Sequence, residues 1–162
     1  NAACQDVRAC FDAERITRAV ESAKGGWART FFDTETNTQC LEIGPLARVI
    51  IPTGLAVKPG VSWKVGVYPR SGTPYKFGLI VGNAPGTVDS DYLGELGVIL
   101  INVSNSPVII DHGDRVAQIA VEPVFSSVPD GENTIVPEDD ETLEQFFSTE
   151  RADGPDGRPG HN

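Results

Sequence analysis

Short apolar runs divided by turn formers dominate the chain from residue 47 onward. Ala47-Arg48-Val49-Ile50-Ile51-Pro52 reads as a strand that stops at its proline, and Thr53-Gly54 follows as a turn. Residues 55–57 and 61–68 read as short strands parted by Pro59-Gly60. Runs at 79–81, 96–101, 108–110 and 115–121 keep the same rhythm. Many short strands at even spacing, with Pro and Gly between them, predict an all-β barrel or jelly roll. Residues 10–45 are less regular. Residues 13–24 fit a short amphipathic helix through Ile16, Ala19, Val20 and Ala23. Trp27, Phe31 and Phe32 predict that this region is packed rather than disordered.

One stretch breaks the rhythm. Residues 82–95, GNAPGTVDSDYLGE, have no sustained period and gather turn formers around Asp89, Asp91 and Tyr92. Apolar runs on both sides predict a β-hairpin with an elaborated tip. Glycines at such a tip let a backbone approach a ligand closely, and a carboxylate and a tyrosine stand ready to touch it. Asp91 reads as a turn or surface residue. The run 96–101 is continuously apolar and predicts a strand buried on both faces, against the core or a subunit interface. Upstream, Arg70-Ser71-Gly72 leaves a strand end with bidentate, hydroxyl and close-approach chemistry suited to phosphate. Downstream, Gly113-Asp114 turns into a strand where Gln118 is a polar amide among Ala117, Ile119 and Ala120. It needs a partner, as a satisfied core amide or as a working one.

Length and charge narrow the function classes. A chain of 162 residues is one domain by length and can bury a real core. It has no stretch of 18 apolar residues and no visible signal peptide, so no membrane partner is expected. Cys4, Cys10 and Cys40 are odd in number and lack metal-ligand spacing, which predicts free buried thiols and a cytoplasmic setting. A net charge of −10 argues against nucleic acid as a partner. An acidic chain that binds a polyanion must gather its arginines or bring in a divalent cation, which singles out Arg70, Arg115 and Arg151. The acidic run at 137–144 reads as a solvated face or a mobile segment.

Three blocks, Pro69-Arg70-Ser71-Gly72, Gly86-Thr87-Val88-Asp89-Ser90-Asp91-Tyr92 and Gly113-Asp114-Arg115-Val116-Ala117-Gln118, stand in one order and spacing. They resemble the second, third and fourth motifs of the trimeric dUTP diphosphatases (dUTPases). The resemblance runs from Ala2 to about residue 160 and is strongest over 50–123. It implies a β-jelly-roll (a distorted barrel) over residues 1–128, assembled as a homotrimer, with a C-terminal arm over 129–162. It implies strand and connecting loop, rather than helix, for residues 10–45, and that is the expectation carried forward.

The implied activity is hydrolysis of dUTP to dUMP and diphosphate with magnesium. Asp89 is implied as the general base, and Gln118 as the group orienting water or a phosphate oxygen. Arg70, Ser71, Gly72, Arg115 and Arg151 are implied at the phosphates, Arg115 being equally readable as a structural ion-pair partner. The uracil ring is implied to slot between the hairpin's strands against Asn83, Gly86, Thr87, Val88 and Gly97. Tyr92 is implied beneath the deoxyribose, leaving no space for a 2′-hydroxyl. Asp6, in a segment resembling the first motif, is implied to hold magnesium through water.

The chain departs from the family's pattern in the arm, where Asp156 stands near the place of a stacking aromatic and Pro155 and Pro159 replace glycine and a hydroxyl residue. A non-catalytic trimer that keeps the nucleotide slot is the alternative this raises. A dCTP-deaminating relative is disfavoured, because Val98-Ile99-Leu100-Ile101-Asn102 lacks the carboxylate that chemistry needs.

Overall fold

Alternation of buried and open positions sets the architecture of the computed structural model, which describes residues 3–60 and 62–124. In chain order the elements are β1 (Gln5–Arg8), α1 (Ala13–Glu21), β2 (Ala28–Asp33), β3 (Thr38–Ile43), β4 (Arg48–Pro52) and β5 (Trp63–Tyr68). There follow α2 (Gly72–Phe77), β6 (Leu79–Val81), β7 (Gly86–Val88), β8 (Gly97–Asn102), β9 (Val108–Asp111) and β10 (Arg115–Pro123). The strands form antiparallel sheets in the orders β1-β10-β5-β7, β2-β3-β9 and β4-β8-β6. This is the expected all-β jelly roll. Leu41, Ile43, Val49, Ile51, Val98 and Leu100 are the closed centre of its core, each side chain contributing on the order of 1.5–3 kcal/mol by leaving water.

Residues 13–21 overturn the expectation of strand and loop. Asp12 caps a helix by accepting from the Arg15 amide at 2.8 Å, and the Ser22 amide closes the far end on the Arg18 carbonyl. Ile16 and Ala19 bury one face against the core. The apolar spacing there was helical, and the local pattern prevailed. Further on, β2 and β3 do pair as a hairpin. Residues 55–57 form no strand. Leu55 instead offers its carbonyl to the Leu96 amide at 2.7 Å, a single tie rather than a ladder. A further helix, α2, was not foreseen. It begins directly after Ser71, tolerates Pro74 in its first turn, and stops at Gly78, whose φ of 68° suits glycine.

The central hairpin is half as expected. Its arms, β6 and β8, pair from Leu79 opposite Asn102 to Val81 opposite Leu100. Its middle does not stay with them: β7 crosses over to become the edge strand beside β5. On β8, Val98, Leu100 and Asn102 are buried, while Ile99 and Ile101 are only half-buried. Those two share a face with Ile50, opposite Ile99, and Ile80, opposite Ile101. The outer face of this sheet is therefore a patch of isoleucine that one chain leaves partly open. Of the cysteines, expected as buried thiols, all are free and Cys40 is buried, but Cys4 and Cys10 are half-buried.

Asn102 is the polar exception in the core, with no exposed surface. Its Nδ2 donates to the carbonyls of Ile43 and Ser106, each at 2.9 Å, and its Oδ1 accepts from the amide and hydroxyl of Ser104. It thus ties β8 to β3 and to the loop before β9. Asn102→Ala strips these partners inside the core and is expected to lower the unfolding free energy by about 3 kcal/mol, read from the urea transition.

Candidate functional site

Two clusters of the expected residues occupy different ends of one sheet. The first lies where β1, β10 and the exit of β5 meet. Asp6 stands opposite Gln118, and Gln118 opposite Tyr68, so ladder register alone brings Asp6, Gln118 and the Tyr68–Arg70 corner side by side. The Asp6 carboxylate accepts from Arg70 Nε at 2.7 Å and from Arg115 Nη1 at 3.4 Å. The Arg70 hydrogen bond is the main reason its carboxyl is held below the usual carboxylate range, although partial burial works against it. Gln118 Nε2 donates to the Pro69 carbonyl at 3.0 Å, the partner its setting required. That bond fixes the corner from which Arg70 projects. Ser71 takes the cap position of α2 without spending its hydroxyl on the cap, and open space surrounds the position a Gly72 Cβ would take. The result is a pair of cations held by one carboxylate, flanked by a hydroxyl and an approachable backbone.

The second cluster is the tip. Gly86 and Val88 are buried while Thr87 is exposed, so Val88 can offer a ligand only its main chain. As a sheet edge, β7 presents main-chain donors and acceptors away from β5. Asn83 folds over Gly86, where an added Cβ would lie 3.2 Å from the asparagine Nδ2. Asp89 follows the strand and is exposed. Its carbonyl accepts the Tyr92 amide at 3.2 Å, and the Tyr92 hydroxyl donates to the Glu95 carbonyl at 2.8 Å. Burial, with the Glu95 charge behind it, pushes the Tyr92 hydroxyl pKa up, so the ring stays neutral. Gly97 lies against Ile50, whose Cγ2 would be 2.6 Å from an added Cβ. The arms β6 and β8 are ladder partners over residues 79–81 and 100–102, and the tip extends beyond them.

Within one chain the near end of β7 comes close to the first cluster, Gly86 pairing with Val67 beside Tyr68, while its far end runs away from it. Val88 pairs with Val65 near the start of β5, whereas Arg70 lies beyond its end. Asp89 follows Val88 in the direction away from the Tyr68–Arg70 corner, with four residues of strand rise, about 13 Å, between its level and Tyr68. Arg151 lies outside the described residues, as does the whole expected arm at 129–162.

Sequence reasoning gave no role to Glu95. Its carboxylate accepts from Gly54 N at 2.7 Å, Arg15 Nε at 3.0 Å and Arg18 Nη2 at 3.0 Å. Burial pushes its pKa up, but the Gly54 amide and the two arginines outweigh that and leave it below the ordinary glutamate value. The signal was the i, i+3 arginine pair on a helix, visible only once residues 13–21 are read as helical.

Comparison with known proteins supplies the family and the fold. A family model described as dUTPase matches residues 36–149. A deoxyuridine 5'-triphosphate nucleotidohydrolase of Dinoroseobacter shibae is 44% identical over 110 residues, 68% of this chain and 71% of that protein. One of Aquifex aeolicus is 50% identical over 84 residues, covering 52% of this chain and 56% of its own length. In fold, the chain is similar to the dUTPase of Streptococcus mutans, with a TM-score of 0.57 at 23% identity over 77% of this chain and 80% of that one. It is similar also to the dUTPase from phage phi11 of S. aureus, with a TM-score of 0.57 at 16% identity over 85% and 86%. The sheet order, the two clusters and the matched residues lead to one conclusion: this chain belongs to the dUTPase family.

Proposed function

We propose that this chain hydrolyses dUTP to dUMP and diphosphate, which keeps uracil out of DNA and supplies dUMP for dTMP synthesis. The observation that carries this reading is the Arg70–Asp6–Arg115 arrangement in ladder register with Gln118. Arg70, Ser71, the Gly72 amide, Arg115 and Arg151 hold the phosphates. Asp89 takes a proton from a water aimed in line at the α-phosphorus, and Gln118 orients that water or a phosphate oxygen. The arginines stabilise charge gathering on the departing diphosphate. Main-chain groups at Asn83, Gly86, Thr87, Val88 and Gly97 read the uracil edge, and Tyr92 closes the space beside the deoxyribose.

The separation of Asp89 from Arg70 supports a homotrimer in which each complete site draws on more than one copy. So does the open isoleucine face of β4-β8-β6, since patches of this kind mark interfaces. Magnesium fits as an ion that arrives with the triphosphate. Among the described residues no three carboxylate, histidine or cysteine groups cluster to cage one, whereas a single carboxylate, Asp6, beside phosphate-binding arginines matches how this ion is held. When bound, it would neutralise phosphate charge. Among the described residues no helix is long and apolar enough to cross a membrane. We place the protein in the cytoplasm, in keeping with its free thiols.

Diphosphate release should be confined to dUTP when dCTP, dTTP and UTP are offered, with magnesium required. Asp89→Asn is expected to bind dUTP yet turn over about 10²–10⁴-fold more slowly. Saturable dUTP binding by the parent without turnover would instead identify a non-catalytic binder. A second test addresses the shared site. Asp89→Asn and Arg70→Ala are each expected to be severely slowed, and mixed trimers to regain part of the parental rate. Mixtures as slow as their components would place both residues in one chain's site.

The Asp6 ion pairs make a pH prediction. A carboxyl whose pKa is lowered on folding stabilises the fold above its unfolded value and loses that contribution as pH falls through the folded one. Asp6→Asn should therefore unfold at a lower temperature than the parent at neutral pH. The gap should close as the pH is taken below 3.8, in a thermal-unfolding series.

A further inference from the structure

We propose that α1 is a positioning element for the tip that carries Asp89 and Tyr92, acting through Glu95 as its strap. The proposal rests on the ribose role given to Tyr92 above. A helix present only to cover the core would need Ile16 and Ala19 and leave its arginines in solvent. Here Arg15 and Arg18 both turn onto one carboxylate 80 and 77 residues away, on different oxygens, each at 3.0 Å. The Gly54 amide supplies a third donor. With its side chain held from α1, the Glu95 carbonyl receives the Tyr92 hydroxyl, and the Tyr92 amide reaches the Asp89 carbonyl.

The next residue continues the tie. The Leu96 amide donates to Leu55 and its carbonyl accepts the Thr53 hydroxyl at 2.6 Å. Residues 89–96 are thus sewn to the loop at 53–55 and, through Glu95, to a helix outside the three blocks that carry the family resemblance. Partly solvated ion pairs add little to global stability. Their leverage lies in geometry, where a small misplacement of a substrate-contacting group is costly.

The test compares Arg15→Ala/Arg18→Ala with the parent. In the folded protein, amide hydrogen exchange at Tyr92 and Leu96 should quicken. The preference for dUTP over UTP in kcat/KM should fall by about tenfold, and Arg29→Ala, which breaks an ion pair with Glu42 on the β2–β3 hairpin, should leave both at parental values. Arg15→Lys/Arg18→Lys keeps the charges and should restore much of the protection. Parental exchange in the alanine double variant overturns the proposal, and so does a loss shared equally by both nucleotides. Tyr92→Ala is measured alongside. If it keeps the parental preference for dUTP, the ribose reading is wrong, and the exchange data alone then decide for or against the strap.

Discussion

The pairing of β10 with β1 on one side and β5 on the other is the constraint on which the rest depends. Antiparallel register allows no fractional slip, and a shift of one residue would turn every side chain to the opposite face. With Val7 and Ala117 paired and both committed to the core, Gln118 has one place to stand, between Asp6 and Tyr68. The arginines then follow from the ends of the strands: Arg115 opens β10, and Arg70 leaves the corner that Gln118 pins. A cluster built from three distant stretches of sequence is thereby fixed by backbone hydrogen bonds more than by its own charges.

That dependence explains what could be read in advance. The strands β4, β5, β8, β9 and β10 are short apolar runs bounded by turn formers, and the barrel class follows from their spacing. The partner demand of Gln118 follows from residue type and surroundings, and the Pro69 carbonyl meets it. Residues 13–21 were misjudged because a family expectation was set above a local helical period that Asp12 and the buried Ile16–Ala19 pair enforce. The crossing of β7 was hidden for another reason. Three residues, Gly86, Thr87 and Val88, carry no signal that says which neighbour they pair with; only closure of the sheets decides it. Glu95 was invisible because its partners lie on the element that was misjudged.

The tip and the arginine cluster also differ in how they are held. The cluster is tied by ladder register, a rigid support. The tip is a turn stabilised by single hydrogen bonds to a loop and by ion pairs to a helix. In the proposed function, the contact that would discriminate between nucleotides by a single hydroxyl rests on the second, softer kind of support. The irregular backbone thus holds the tip, while the charged cluster rests on the sheet.

Asp6 has one more consequence. Without an anion, its carboxylate already neutralises part of the charge of Arg70 and Arg115, so these cations are not an open trap. Any incoming anion exchanges one negative partner for another and gains only what it offers beyond a single carboxylate. A monoanion such as chloride gains almost nothing. A triphosphate, with several oxygens to spread over two guanidinium forks, gains a great deal. In the proposed function the internal carboxylate would act as a threshold, making an acidic protein's small positive site respond to the number of charges on its visitor rather than to the presence of charge alone.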